Sequence, residues 1–202
     1  MSAAHWHVSS LLRRCAMINA RGVVRASPFI RLAQRGNAGS AAPASSAGVT
    51  AHVLSLMQQR IYGGETKPFY VVDLNDVKAK HEQWSALLPR VQPFYAVKCN
   101  PDVEVMRTLA ALGANFDCAS AGEIDAVLGL GVAPERIVYA NPCKQEEQLA
   151  AAAGAGVEWM TFDCAEELLK IKATHPGAKL LLRLLADDSN SVCAFGKKFG
   201  AQ

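Results

Sequence analysis

The stretch PFYAVKCNPDVEVMRTLAALGANFDCASAGEIDAVLGLGVAPERIVYA, residues 93–140, decides the fold. It holds three short apolar runs, 93–97 (PFYAV), 115–118 (NFDC) and 137–140 (IVYA), separated by two intervals with helical spacing. Each run is short and rich in aromatic, aliphatic or β-branched side chains, as a buried parallel strand requires. In the first interval Asn100 is placed to cap a helix, with Pro101 at its first position and Gly113 past its end. Val105, Leu109 and Leu112 share the inner face of that helix. In the second interval Ser120 and Glu123 read as a capping box, Ile124, Val127 and Leu128 follow on the inner face, and Gly131 is the stop.

Outward from this stretch the alternation continues. Runs at 69–73 (FYVVD), 159–162 (WMTF) and 179–185 (KLLLRLL) extend the series, and the starts fall about 22 residues apart. Asp163 and Glu166 read as a second capping box, with Leu168, Leu169 and Ile171 inside the helix they open. Strand and helix alternating at a near-constant period mean βαβ units and a parallel sheet. A doubly wound sheet and a barrel both fit, but no G-x-G-x-x-G follows the first strand, which weakens a dinucleotide-binding reading. The expected class is α/β, a TIM-type (β/α)8 barrel. It is incomplete here, with five or six βα units, because eight units take about 250 residues. An open barrel is expected to expose apolar strand edges.

Composition narrows the class of function. The 202 residues are half apolar and carry 21 basic and 18 acidic residues. Six arginines (Arg13, Arg14, Arg21, Arg25, Arg31 and Arg35) lie in the first 35 residues, and the first acid is Glu65. Beyond them the balance is 15 basic to 18 acidic residues, so the net positive charge belongs to the tail and gives no reason to expect nucleic-acid binding. No run approaches the roughly 18 apolar residues of a membrane span, and no membrane association is expected. The tail is rich in Arg, Ser and Ala, and residues 7–24 can form a basic amphipathic helix. This is the pattern of a mitochondrial or plastid transit peptide, a cytoplasmic location being the alternative. Residues 36–48 (GNAGSAAPASSAG) read as low-complexity linker. The expected domains are therefore 1–50, transit peptide and linker, and 51–202, barrel. The six cysteines (Cys15, Cys99, Cys118, Cys143, Cys164 and Cys193) include no C-x-x-C pair. Reduced thiols and no metal site are expected, Cys99, Cys118, Cys143 and Cys164 reading as small buried hydrophobes.

Barrel enzymes carry their reacting groups at the C-terminal ends of strands. Those ends offer Asp73, Lys98, Asp117, Asn141, Asp163 and Arg183. Asp73 and Asp163 read as helix caps. Lys98 ends an apolar strand. At the mouth of a barrel its amine is expected to be desolvated, which lowers its pKa and frees the lone pair for imine formation. The plainer alternative is an exposed, solubilising lysine.

Residues 68–201 resemble the eukaryotic ornithine decarboxylase family. The carrying segments are PFYAVKCN (93–100), FDCAS (116–120), APERIVYANPCK (133–144), MTFD (160–163) and KFGA (198–201). The resemblance implies a barrel of the alanine racemase-like kind, pyridoxal 5'-phosphate (PLP) as cofactor and decarboxylation of L-ornithine to putrescine, the entry to polyamine synthesis. It implies Lys98 as the Schiff-base lysine, Ala96 lining the same strand near the cofactor and Asp117 as a carboxylate near the Schiff base. Glu123 is implied as a second carboxylate in that network and Arg183 as the arginine on the ring's phenolic oxygen. It also implies an amino-acid substrate and a homodimer in the longer form. The ring-stacking histidine, phosphate loop, pyridine-nitrogen acid and proton-donating cysteine are expected beyond Gln202, so an inactive fragment is one alternative. Another is an antizyme inhibitor-like regulator that binds antizyme without catalysing. Residues 144–169 correspond to the antizyme-facing surface, but they are acidic and Ala-rich where a basic face is expected, which argues against that role. A small barrel protein that manages PLP without catalysis lacks the PFYAVKCN motif.

Overall fold

The computed structural model describes residues 29–32, 46–192 and 199–202, of which 29–32 and 46–50 are described by backbone alone. The transit-like helix at 7–24 and the cysteines Cys15 and Cys193 lie outside the described residues. The chain divides into two compact units between Asn75 and Asp76.

In the first unit, β1 (Phe29–Leu32) pairs in parallel with β2 (Tyr70–Asp73), from Phe29 against Tyr70 to Leu32 against Asp73. Between them runs α1 (Ser46–Tyr62). The strand β1 and the first turn of α1 lie in the stretch assigned above to the tail. Gly64 takes a φ of +83° after α1, a conformation that costs other residues about 1 kcal/mol or more. Asp73 Oδ1 accepts the Asn75 amide at 2.9 Å, the capping role expected of it at the start of α2 (Leu74–Leu87).

The second unit is a five-stranded parallel sheet in sequence order: β3 (Phe94–Ala96), β4 (Asn115–Cys118), β5 (Ile137–Tyr139), β6 (Trp159–Phe162) and β7 (Lys179–Leu182). Helices α3 (Val103–Ala111), α4 (Ala121–Leu128), α5 (Glu146–Gly154) and α6 (Ala165–Thr174) connect them. Every strand lies within a predicted run, and the unbroken order is that of a partial (β/α) barrel. Register assigns the faces. Phe116 lies beside Ile137, and Cys118 beside Tyr139, which lies beside Met160. All five are buried and pack with Val105, Met106 and Leu109 of α3, Ile124 and Val127 of α4, Leu149 of α5 and Ile171 of α6. Each such side chain contributes about 2 kcal/mol by leaving water. The alternate positions Ala96, Asp117, Val138, Trp159 and Lys179 form one row on the other face.

Three local readings are corrected. Helix α3 begins at Val103, because Asp102 rather than Asn100 is its cap: the Asp102 carboxylate accepts the Glu104 and Val105 amides. Asn100 is extended and instead accepts the Asp102 amide at 3.1 Å. Helix α6 has no side-chain cap at its N-terminal position, Cys164; the Asp163 carboxylate bonds elsewhere. On α6, Leu169 is 66% exposed while Glu167 is buried, so the inner face is rotated from the apolar pattern. The cause is a buried ammonium group, described below.

The edge strands of the described sheet carry exposed apolar side chains. Phe94 of β3 and Leu180, Leu181 and Leu182 of β7 are exposed, as expected of an unclosed barrel.

Candidate active site

Lys98 stands in a single 3-10 turn, Val97–Cys99, directly after β3. Two anchors hold that turn. Val97 is 1% exposed beneath it, and the Tyr95 hydroxyl donates to the Asn100 carbonyl at 3.0 Å. The Tyr95 ring meets Phe116 edge-on, with centroids 6.3 Å apart. Burial pushes the Tyr95 hydroxyl well above its ordinary range, so it remains a donor across the working pH range.

On the neighbouring strand, Asp117 pairs in register with Ala96, so the two side chains stand next to each other on the same face. The methyl of Ala96 leaves room beside the carboxylate. Asp117 Oδ1 is buried and has no hydrogen-bond partner among the described residues. Burial raises the Asp117 pKa, the Lys98 ammonium opposes that rise, and the Glu123 carboxylate adds to it. One ammonium and two carboxylates therefore act on each other at the ends of β3 and β4. Lys98 is itself exposed, so the described residues do not supply the dry surroundings expected for its amine.

Glu123 has two functions. Its amide donates to Ser120 Oγ at 3.3 Å, and its Oε2 accepts the Ala119 amide at 2.7 Å. The expected capping box is present, its return bond falling one residue earlier than the pattern. That bond fixes the Glu123 carboxylate beside Asp117. Cys118 lies between them in sequence but on the helix side. Burial, with help from both carboxylates, pushes its thiol up to about 12, which leaves it a small neutral core residue. Cys99, Cys143 and Cys164 are exposed, contrary to the buried role expected, because each sits in a loop past a strand end. Among the described residues no cluster of three His, Cys, Asp or Glu side chains is placed to hold a metal ion.

Arg183 lies apart from this group. It follows β7, at the opposite edge of the sheet from β3. Its guanidinium sits over the Phe199 ring, 5.1 Å from the centroid. On the adjacent strand end, Asp163 Oδ2 accepts the Gly200 amide at 2.9 Å. The structure thus brings Lys98, Ala96, Asp117 and Glu123 together and leaves Arg183 four strands away.

The sequence reading missed a buried ion cluster beneath the ends of β5 and β6. Lys144 and Glu167 are each 2% exposed. Lys144 Nζ pairs with Glu167 Oε1 at 2.9 Å and donates to the carbonyls of Asn141 at 3.0 Å and Thr161 at 2.6 Å. Lys170 Nζ meets Glu167 Oε2 at 2.6 Å. Burial pushes the Glu167 carboxyl up, but the Lys170 and Lys144 ammonium groups and the Lys144 amide outweigh it and hold it below the usual carboxylate range. One signal was legible: a lysine immediately after the strand-end motif YANPC, with an acid 23 residues on at nearly the strand period.

The comparisons with known proteins give the family. Residues 74–202 match the family model described as pyridoxal-dependent decarboxylase, pyridoxal binding domain. The chain is similar to the ornithine decarboxylase of Schizosaccharomyces pombe, 56% identical over 137 residues, which is 68% of this chain and 32% of the relative. It is similar to the chloroplastic ornithine decarboxylase of Nicotiana glauca, 44% identical over 177 residues, 87% of this chain and 41% of the relative. Among solved structures, the arginine decarboxylase of Paramecium bursaria Chlorella virus superposes with a TM-score of 0.69 at 41% identity, over 76% of this chain and 40% of that one. The chain spans about a third of the length of the first of these relatives and less than half of the others. With the family model matched over well more than half of its residues, the chain belongs to the pyridoxal-dependent decarboxylases, and residues 74–202 are their pyridoxal-binding domain.

Proposed function

We propose that this chain supplies the lysine-bearing part of a PLP-dependent decarboxylase acting on L-ornithine, with putrescine and CO₂ as products. The observation that carries the reading is the half-buried Asp117 carboxylate, whose buried Oδ1 has no hydrogen-bond partner among the described residues and which is acted on by the charge of Lys98. An orphaned buried acceptor costs about 1–3 kcal/mol, a cost offset when a bound group donates to it. The residues therefore fit a cofactor that presents a positively charged nitrogen donor next to Lys98.

When bound, PLP supplies an electron sink for the carbanion left by CO₂ loss. The residues of this chain have the following parts. Lys98 holds the cofactor covalently through its amine. Asp117 keeps positive charge favoured at that nitrogen, and Glu123, fixed by the Ala119 amide, adds negative potential behind it. Ala96 keeps the neighbouring position small. Arg183 is assigned to the phenolic oxygen of the ring. The longer protein is proposed to act as a homodimer.

Ornithine is preferred over arginine because the curated relatives named for it reach 56–59% identity, against 41% for the arginine decarboxylase structure. The tobacco relative's match covers 87% of the chain, against 68% for the fission-yeast relative, and so takes in part of the arginine-rich tail. This supports delivery to a plastid, which a fluorescent fusion of residues 1–50 tests; diffuse cytosolic fluorescence refutes it.

The test of the site is borohydride reduction of the chain with PLP, followed by peptide mapping. Label on the peptide containing Lys98 is expected. Label on another lysine, or none, overturns the reading. CO₂ release from ornithine, lysine and arginine, measured side by side on the same preparation, tests the substrate.

A further inference from the structure

Arginine has a long side chain with many rotamers, so a guanidinium that is to meet a ligand oxygen repeatedly needs something to hold it. Here the holder is the Phe199 ring beneath Arg183. Phe199 in turn belongs to a short segment stitched to the strand ends. The Ala201 amide donates to the Arg183 carbonyl at 2.9 Å, and the Leu185 amide donates to the Ala201 carbonyl at 2.8 Å. Gly200 has a φ of +126°, and a Cβ there would lie 2.8 Å from the Leu185 backbone, so no side chain fits. Those bonds tie the segment to the stretch after β7. The Asp163 carboxylate ties it to β6 as well, across 37 residues.

Asp163 makes this bond at a local cost. It stands immediately before α6, where its carboxylate is expected as a cap, and the helix starts without a side-chain cap. We propose that Asp163 is a positioning residue: by holding the Gly200 amide it sets the Phe199 ring under Arg183 and so orients the guanidinium for an anionic oxygen of the cofactor. The proposal rests on the assignment of Arg183 given under Proposed function.

The test titrates PLP into the 202-residue chain, following the absorbance of the lysine adduct and its borohydride trapping. Asp163→Ala is expected to weaken apparent PLP affinity about tenfold, the size of one charge-assisted hydrogen bond. Asp163→Asn keeps an acceptor for the Gly200 amide and is expected to stay within about twofold of the wild type. In an Arg183→Ala background, Asp163→Ala is expected to add nothing. An undiminished tenfold loss in that background, or no loss in the single variant, overturns the proposal. If Asp163→Ala does not fold, Phe199→Leu replaces it: the ring is lost while the Asp163–Gly200 bond stays, and the same pattern is expected. If the wild-type chain takes no PLP on Lys98, the functional reading fails and the apoprotein decides this one separately. Asp163→Asn should then leave the Arg183 Nε–H resonance unchanged, and Phe199→Leu and Asp163→Ala should both shift it. An Arg183 resonance indifferent to Asp163→Ala refutes the inference.

Discussion

The surroundings of Asp117 disfavour its charged form. Its folded-state pKa is raised, chiefly by burial, above its unfolded value. The folded chain therefore binds a proton more readily than the unfolded one. Stability falls as pH rises from the unfolded value through the folded one. Asp117→Asn is expected to raise the urea midpoint of the apoprotein at about pH 7, by an amount on the order of 1 kcal/mol, while weakening PLP binding. Below the unfolded value of about 3.9 the difference should vanish. Equal midpoints at neutral pH would show that the carboxylate is satisfied. Ser120 makes a simpler case. Its hydroxyl accepts the Glu123 amide, so Ser120→Ala should cost about 1 kcal/mol in denaturant unfolding. It should also loosen Glu123 and reduce PLP trapping at Lys98.

Among the elements, α5 and α6 are joined to the sheet by buried charge as well as by apolar packing. Lys144 bonds the loop after β5, the end of β6 and Glu167 of α6 together. Removing one partner of a buried pair strands the other charge. Lys144→Met is expected to cost about 3 kcal/mol or more by urea denaturation. The double variant Lys144→Met/Glu167→Leu should recover most of that loss. A double variant as unstable as the single one would locate the cost in the carbonyls of Asn141 and Thr161 instead. Because the Glu167 pKa is lowered, its contribution is complete above the unfolded value and is lost as pH falls through the depressed folded value.

In the whole molecule an edge strand of the described sheet, β7, exposes Leu180, Leu181 and Leu182. An exposed apolar edge strand recruits other strands. Leu181→Lys with Leu182→Lys is expected to reduce self-association of this chain in static light scattering, with the circular dichroism spectrum unchanged. Undiminished association would place the sticky surface elsewhere. The exposure of Lys98 belongs to the same scale. Its turn is set by Val97 and Tyr95, but the described residues do not enclose its amine.

The strand series and the helices between them were readable from the chain alone, because both depend on side chains within a turn or two of each other. Apolar runs at 93–97, 115–118 and 137–140 became β3, β4 and β5 with their ends moved by at most two residues. The Ser120–Glu123 box lay in the same short range, whereas the pairing of Lys98 with FDCAS, 18 to 22 residues on, came only from the family resemblance. Partners far along the chain were decided by the tertiary structure. Asp163 left the helix it precedes for an amide 37 residues on, and Glu167 turned a helix face toward Lys144. Register and burial choose such partners, since a charge taken out of water accepts whichever donor the packed sheet brings within 3 Å of it.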